Sequence, residues 1–304
     1  SIRQGNAVIA IKDVSDAILW SWHVWVTDED INNVIEITNH QNVKYNFMPV
    51  NLGQCDGNTI TYEERSCKVK FIAGDQSKEI TIKQLANVIA TGSNAPFYQW
   101  GRKDPLYPSN GMGNTTKIWY DKEGIPSTAN PMKGTFSAGN DCIKNCILNP
   151  NLMHNRYNGD YTYYNLWSAD NKTTSANDNP VNKTIYDPCS VGFKLPASNA
   201  FTGFTTTGES VSSSTQVNGT WSSSEKGWYF YTNSEKTQSI FFPALGYRSY
   251  STMRPGSIGT QGCFWSAHPV AKGNNYYLRT SSVDVQPTYM VDRGFGYALR
   301  PCQD

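Results

Sequence analysis

An α+β fold built mainly from short twisted antiparallel strands, with one or two short helices and long loops, is what this sequence predicts. Three observations carry that prediction. Charged residues are only 17% of the chain and aromatic residues 13%, where an ordinary soluble domain carries about 25% charge. Apolar runs span roughly four to eight residues and are bounded by Gly, Pro, Ser or Asn, which is the punctuation of strands. Helical spacing shows best in "KEITIKQLANVIA" (78–90), where Ile82, Leu85, Val88 and Ile89 recur on one side.

Taken in order, "AVIAIKD" and "ILWSWHVWVTD" flank "VSDA" and read as a hairpin. In the second run Leu19, Ser21, His23 and Trp25 share one face, and Trp20, Trp22, Val24 and Val26 the other. The continuous apolar Trp20/Trp22 face is expected to enter the core. His23, with no second ligand near it, reads as a hydrogen-bonded structural histidine. Residues 55–74 read as another hairpin that Cys55 and Cys67 can staple, followed by the helix at 78–90. The stretch 104–185 is rich in Gly, Asn, Pro and Thr and reads as a long loop excursion, the kind of segment that carries function. The last third returns to strands, "GTWSSS", "GWYFYTN", "SIFFPALGYR", "GCFWSAH", "NNYYLRT", "SVDVQP" and "FGYALRPC", after an exposed Ser/Thr tract at 205–216.

Net charge is +1, so there is no basic footprint for nucleic acid. No apolar run is long enough to span a membrane. The opening "SIRQGNAVIAIKD" reads as a strand entered mid-protein, as in a piece of a longer precursor. Seven cysteines occur without a C-x-x-C pair, and the four histidines lack zinc spacing. Disulfides are therefore the better reading of the cysteines, with one thiol left over.

Catalytic motifs are sparse. There is no G-x-S-x-G elbow. Cys263 has His268 five residues on, but a strand carries the two to opposite faces, and a buried inert thiol is the better reading. Twenty-five acidic residues are too dispersed to pick out an acid/base pair. Calcium is the one cofactor to weigh. Asp28, Asp30 and Asn32 stand at the first, third and fifth positions of an EF-hand loop, yet Asn33 replaces its glycine and Asn39 its bidentate Glu. A solvated acidic loop is preferred there and at "SANDNP" (175–180). The sequons at Asn114, Asn171, Asn182 and Asn218 fall in expected loops. The remaining signal is "NRYNGDYTYYNLWSADN" (155–171), where tyrosines stand among Asn, Asp and Arg and offer flat amphipathic surfaces.

Seven segments in order, "FMPVNLG", "FYQWGRKDP", "NLWS", "KTIYDPCSVGFKLP", "FFPALGYR", "GCFWSA" and "YALRPC", resemble the Fibrobacter succinogenes major paralogous domain of Bacteroidetes surface lipoproteins and fimbrial proteins. The resemblance covers about 47–302, with a strand pair before it at 1–46. It implies one C-type lectin-like or formylglycine-generating-enzyme-like domain over 1–304, whose central loops carry binding. This chain departs from the pattern with Ser190 where a proline is usual. It lacks the EPN, QPD and WND sugar signatures, "QPT" at 286–288 being a partial echo, and has no counterpart of the enzymes' catalytic cysteine pair. The fold carries over better than an activity.

The resemblance implies a non-enzymatic adhesive module, the tip or C-terminal domain of a fimbrial protein or lipoprotein. It would be outer-membrane-anchored or secreted, and would bind a glycan or a host or bacterial surface protein. The expected contacts are Arg156, Asp160, Tyr161, Tyr163, Tyr164 and Trp167. The alternatives are a pilus or surface-assembly subunit that pairs "AVIAIKD" with another chain, and an enzyme using Cys263 or a metal. The resemblance also places Cys189 in a turn before the second half of the fold. Cys189–Cys302 is then the expected long-range disulfide, worth up to about 4–5 kcal/mol. Cys55–Cys67 and Cys142–Cys146 are the other expected bridges, and Cys263 is left free and buried.

Overall fold

The computed structural model describes residues 4–55, 60–89, 95–106, 119–120, 125–127, 135–136, 141–155, 163–271 and 273–304. Antiparallel strands dominate it. β1 (Gly5–Lys12) and β2 (Ile18–Val26) form a ribbon, and β3 (Ile35–Thr38) and β4 (Lys44–Phe47) a second hairpin. β5 (Ile60–Tyr62), β6 (Arg65–Ala73), β7 (Gln76–Gln84) and β8 (Asn87–Ile89) nest as two ribbons, β5 with β8 and β6 with β7. After β9 (Tyr98–Gln99), the short β10 (Trp119–Tyr120), β11 (Pro126–Ser127) and β12 (Thr135–Phe136) lead to α1 (Cys142–Leu148) and β13 (Met153–His154). β12 and β13 pair in parallel.

The second half runs through β14 (Phe193–Lys194), two 3-10 helices (Ser198–Phe204 and Ser214–Gln216), and the meander β15 (Gly219–Ser222), β16 (Gly227–Tyr231), β17 (Ser239–Pro243). β18 (Tyr247–Arg248) and β19 (Pro255–Gly256) precede a second meander, β20 (Gln261–Pro269), β21 (Asn274–Ser281), β22 (Val285–Asp292). β23 (Gly296–Tyr297) and β24 (Cys302–Gln303) close the chain. These last strands return to the first half. β24 lies between β14 and β4, and β23 between β18 and β9.

The core is divided by β20, whose residues from Gly262 to Pro269 are all buried. Alternation sends Phe264 to one side, into a cluster with Phe47, Phe201, Phe204, Phe230 and Phe242. Cys263, Trp265 and Ala267 go to the other, with Tyr98, Trp100, Trp167, Tyr277 and Tyr297. A strand covered on both faces reads as a continuous apolar run, which is what "GCFWSA" shows in the sequence.

Three expectations change. Within the expected helix, residues 78–84 belong to β7 and 87–89 to β8, so this stretch is strand and not helix. Gly74, at a φ of 60°, opens a two-residue turn, and β6 and β7 pair along their whole length. The alternation of Ile80 and Ile82 with Thr81 and Lys83 outweighs the helical spacing, because β-branched residues favour the extended chain. The hairpin therefore turns at 74–75, and 55–74 is not a hairpin. The α-helix among the described residues is α1, inside the expected loop excursion, seven residues long and without a side-chain N-cap bond. Finally, the Trp20/Trp22 face of β2 does not enter the core: Trp22 and Val24 are exposed and Trp20 is half-buried. Ser21 is buried, while Trp22 is 48% exposed.

Candidate functional site

The reversal of β2 has an electrostatic cause in "GRKDP". Lys103 and Asp104 form a buried ion pair at 2.5 Å. Lys103 Nζ also donates to the Ser21 carbonyl at 2.7 Å, and Ser21 Oγ donates to Asp104 Oδ2 at 2.7 Å. A buried charge pair needs further hydrogen bonds, and the polar side of β2 supplies them. Lys103 lies over the Trp20 ring at 4.5 Å. Two residues on along β2, His23 is held between Asn6 Oδ1 at 2.8 Å and the Tyr98 hydroxyl at 2.7 Å. The Asn6 amide nitrogen is spent on the Gly53 carbonyl. Asn6 therefore accepts from His23 Nε2–H while Nδ1 accepts from Tyr98, which fixes a neutral ring. Burial pushes its pKa down to about 4.

Arg102 points the other way, toward the segment after α1. Its Nη1 donates to Gln99 Oε1 at 3.1 Å and to the Leu152 carbonyl, and its Nη2 to the Pro150 carbonyl at 2.8 Å. Gly101 permits this divergence. It sits at a φ of 84°, where a Cβ would run into Leu166 Cδ1. Trp100 packs on Trp167 with ring centroids 5.3 Å apart, and the Arg293 guanidinium covers Trp100 at 4.1 Å. Between these groups lies a cavity of about 20 Å³, lined by Arg102, Lys103, Asp104, Cys142, Cys146 and His154 among others. That volume holds about one water molecule and does not admit a sugar ring.

The expected ligand contacts divide. Arg156, Asp160 and Tyr161 lie outside the described residues. Tyr163 and Tyr164 are half-buried on Arg293, which donates to the Tyr163 carbonyl at 2.6 Å and lies 5.8 Å from the Tyr164 ring. Trp167 is fully buried, its Nε1 donating to the Tyr186 carbonyl at 3.0 Å. It is a core anchor and not a surface for a ligand.

The two acidic loops hold no cluster of metal ligands among the described residues. Asp28 accepts from Gln4 at 3.0 Å, whereas Asp30 accepts from the Asn32 backbone N–H at 3.1 Å, an Asx turn. Asp178 is surrounded by donors: Asn39 at 2.6 Å, the Tyr45 hydroxyl at 2.7 Å and Asn199 at 2.8 Å. A carboxylate so committed ties loop 175–180 to β3 and β4.

No sulfur–sulfur bond joins Cys55 to Cys67, Cys142 to Cys146, or Cys189 to Cys302. Cys67 faces Ile82 across the β6–β7 ribbon, while Cys55 accepts from Asn6 at 3.5 Å near the start of the chain. Cys189 and Cys302 are close enough to feel each other electrostatically, but they pack into opposite halves of the core. Burial raises both thiols, Cys302 to about 12. Cys263 is fully buried and its pKa is likewise pushed up by burial. His268 turns instead to Ser198, whose Oγ lies 3.2 Å from Nδ1.

The outer face of the β1–β2 ribbon is the largest feature the sequence reading misplaced. Its register sets Ala7, Ile9 and Ile11 opposite Val24, Trp22 and Trp20. Ile9 is 46%, Ile11 53% and Val24 38% exposed. No described strand pairs with the far edge of β1. The β6–β7 ribbon shows a second apolar face, with Phe71, Ile80 and Ile82 exposed. Comparison of the chain with protein-family models, curated proteins and solved structures found no match.

Proposed function

We propose that this chain is a non-catalytic module of a bacterial surface assembly, of the kind its resemblance to the Fibrobacter succinogenes major paralogous domain implies. On this proposal the outward face of β1–β2 docks on a neighbouring subunit. The carrying observation is that face: Ala7, Ile9, Ile11, Trp22 and Val24 are exposed apolar residues in register, Trp20 lies half-buried under Lys103 at their margin, and no described strand pairs with the edge of β1 beside them. A two-stranded ribbon is marginal in water by itself, and an exposed apolar edge is a template for another chain. A net charge of +1 and an uncharged face let two copies meet without burying or opposing charge. A second copy is therefore the partner to test. In the described part of the 104–180 loops, Trp167 is buried and the cavity beside it is water-sized, so these residues lend glycan binding less support.

Light scattering of the purified chain from micromolar to near-millimolar concentration tests this proposal. Concentration-dependent association that Ile9→Lys/Trp22→Lys abolishes, with an unchanged melting transition, is the expected result. A wild-type chain that stays monomeric throughout refutes docking of copies.

A further inference from the structure

We propose that Cys146 is a thiol–disulfide exchange site and that Cys142 is the thiol that resolves its adducts. The proposal stands apart from the docking role of β1–β2. α1 places the two cysteines at i and i+4, on one face and one turn apart. The Cys142 thiol is the neighbour that acts most strongly on the Cys146 sulfur. Both line the water-sized cavity described above, with Arg102, Lys103, Asp104 and His154 in its wall.

The charges in that wall favour a thiolate at Cys146. Arg102 and Lys103 stabilise it, Asp104 opposes it, and His154 contributes no charge because burial and Arg102 keep the ring neutral. With the neighbouring Cys142 thiol as the largest contribution, the Cys146 pKa is drawn down to about 7 against the cost of burial. Cys142 is buried while Cys146 is partly open, which makes Cys146 the attacking sulfur. Cys189, Cys263 and Cys302 have the opposite environment, buried with raised pKa values.

The chemistry balances with a low-molecular-weight disulfide as oxidant. The Cys146 thiolate attacks one sulfur of oxidised glutathione. The glutathione S–S bond breaks, one glutathione thiolate leaves, and a mixed disulfide remains on Cys146. Cys142 then loses its proton to solvent and attacks the Cys146 sulfur, expelling the second glutathione and forming Cys142–Cys146. Two electrons pass to the oxidant, and two glutathione thiols are released. Residues at i and i+4 of a helix have Cα atoms about 6 Å apart, inside the range of about 4.4–6.8 Å that disulfides span.

The test uses the intact reduced chain, oxidised glutathione as the probe, and mass mapping of all seven cysteines. In the wild type, Cys146 reacts with a pH midpoint near 7, and the product is a Cys142–Cys146 bridge without retained glutathione. Cys142→Ser traps glutathione on Cys146. Cys146→Ser slows reaction at Cys142 by at least tenfold. A Cys146 midpoint at or above about 8.5, the ordinary thiol value, overturns the proposal. So does a glutathione adduct that persists on Cys146 in the wild type. Both decisive readings come from the unmodified chain, so a poorly folding variant does not blunt the test.

Discussion

Arg300 Nε donates to Asn51 Oδ1 at 2.7 Å, joining positions 249 residues apart. The same guanidinium donates to the carbonyls of Met48 at 3.1 Å, Pro49 at 2.7 Å and Phe241 at 2.7 Å, and lies 4.5 Å above the Phe242 ring. One fully buried cation thus ties together three of the recognisable sequence segments, "FMPVNLG", "FFPALGYR" and "YALRPC".

Arg300→Met is expected to cost about 3–5 kcal/mol, because it leaves several buried acceptors unsatisfied at once, each at about 1–3 kcal/mol before relaxation. Arg248 is the contrast. It is also fully buried, but beyond its Nε bond to the Met253 carbonyl at 3.1 Å its Nη atoms meet no hydrogen-bond partner among the described residues. Arg248→Met should change stability by less than about 1 kcal/mol or raise it, since a poorly compensated buried charge gives way to apolar packing. Urea denaturation of the two variants side by side checks the ordering, and equal losses would contradict it.

Gly101→Ala is expected to destabilise by about 1–3 kcal/mol. It combines an unfavourable φ with a clash against Leu166. It should also loosen the Arg102 clamp on residues 150–152. Thermal melting gives the loss, and faster amide exchange over α1 locates it.

Acid should weaken the fold through its buried histidines. Burial holds His23 and His268 down to about 4, and burial with Arg102 holds His154 down to about 3. Each folded pKa lies below the unfolded value of about 6.5. As pH falls through that window the unfolded chain takes up protons before the folded one does, so stability is full above about 6.5 and declines toward 4. Each histidine contributes up to about 1.4 kcal/mol per pH unit there. Denaturant midpoints at pH 7 and pH 5 should differ accordingly, and His23→Gln should reduce the difference.

How much of this was legible in the sequence depends on what fixes each element. The β1–β2 hairpin and the strands of the last third were readable, because alternation and turn residues are local. The face that β2 turns inward was not. Apolar content favours the Trp20/Trp22 side, but Lys103 and Asp104, more than 80 positions away in the chain, draw Ser21 inside. The charge triplet "RKD" in an otherwise aromatic segment was the available signal. Leu85, Val88 and Ile89 suggested a helix at 78–90, yet the Gly74–Asp75 turn gives this stretch a ready strand partner. Trp167 looked like a binding aromatic because its loop is polar, while its indole N–H finds partners only through the fold.

The central claim is that the outward β1–β2 face is an interface, and amide hydrogen exchange across β1 as a function of protein concentration tests it most directly. Protection of residues 7–11 should rise with concentration, while exchange in β20, already buried on both faces, stays constant. Exchange at residues 7–11 that is fast and independent of concentration would contradict the claim.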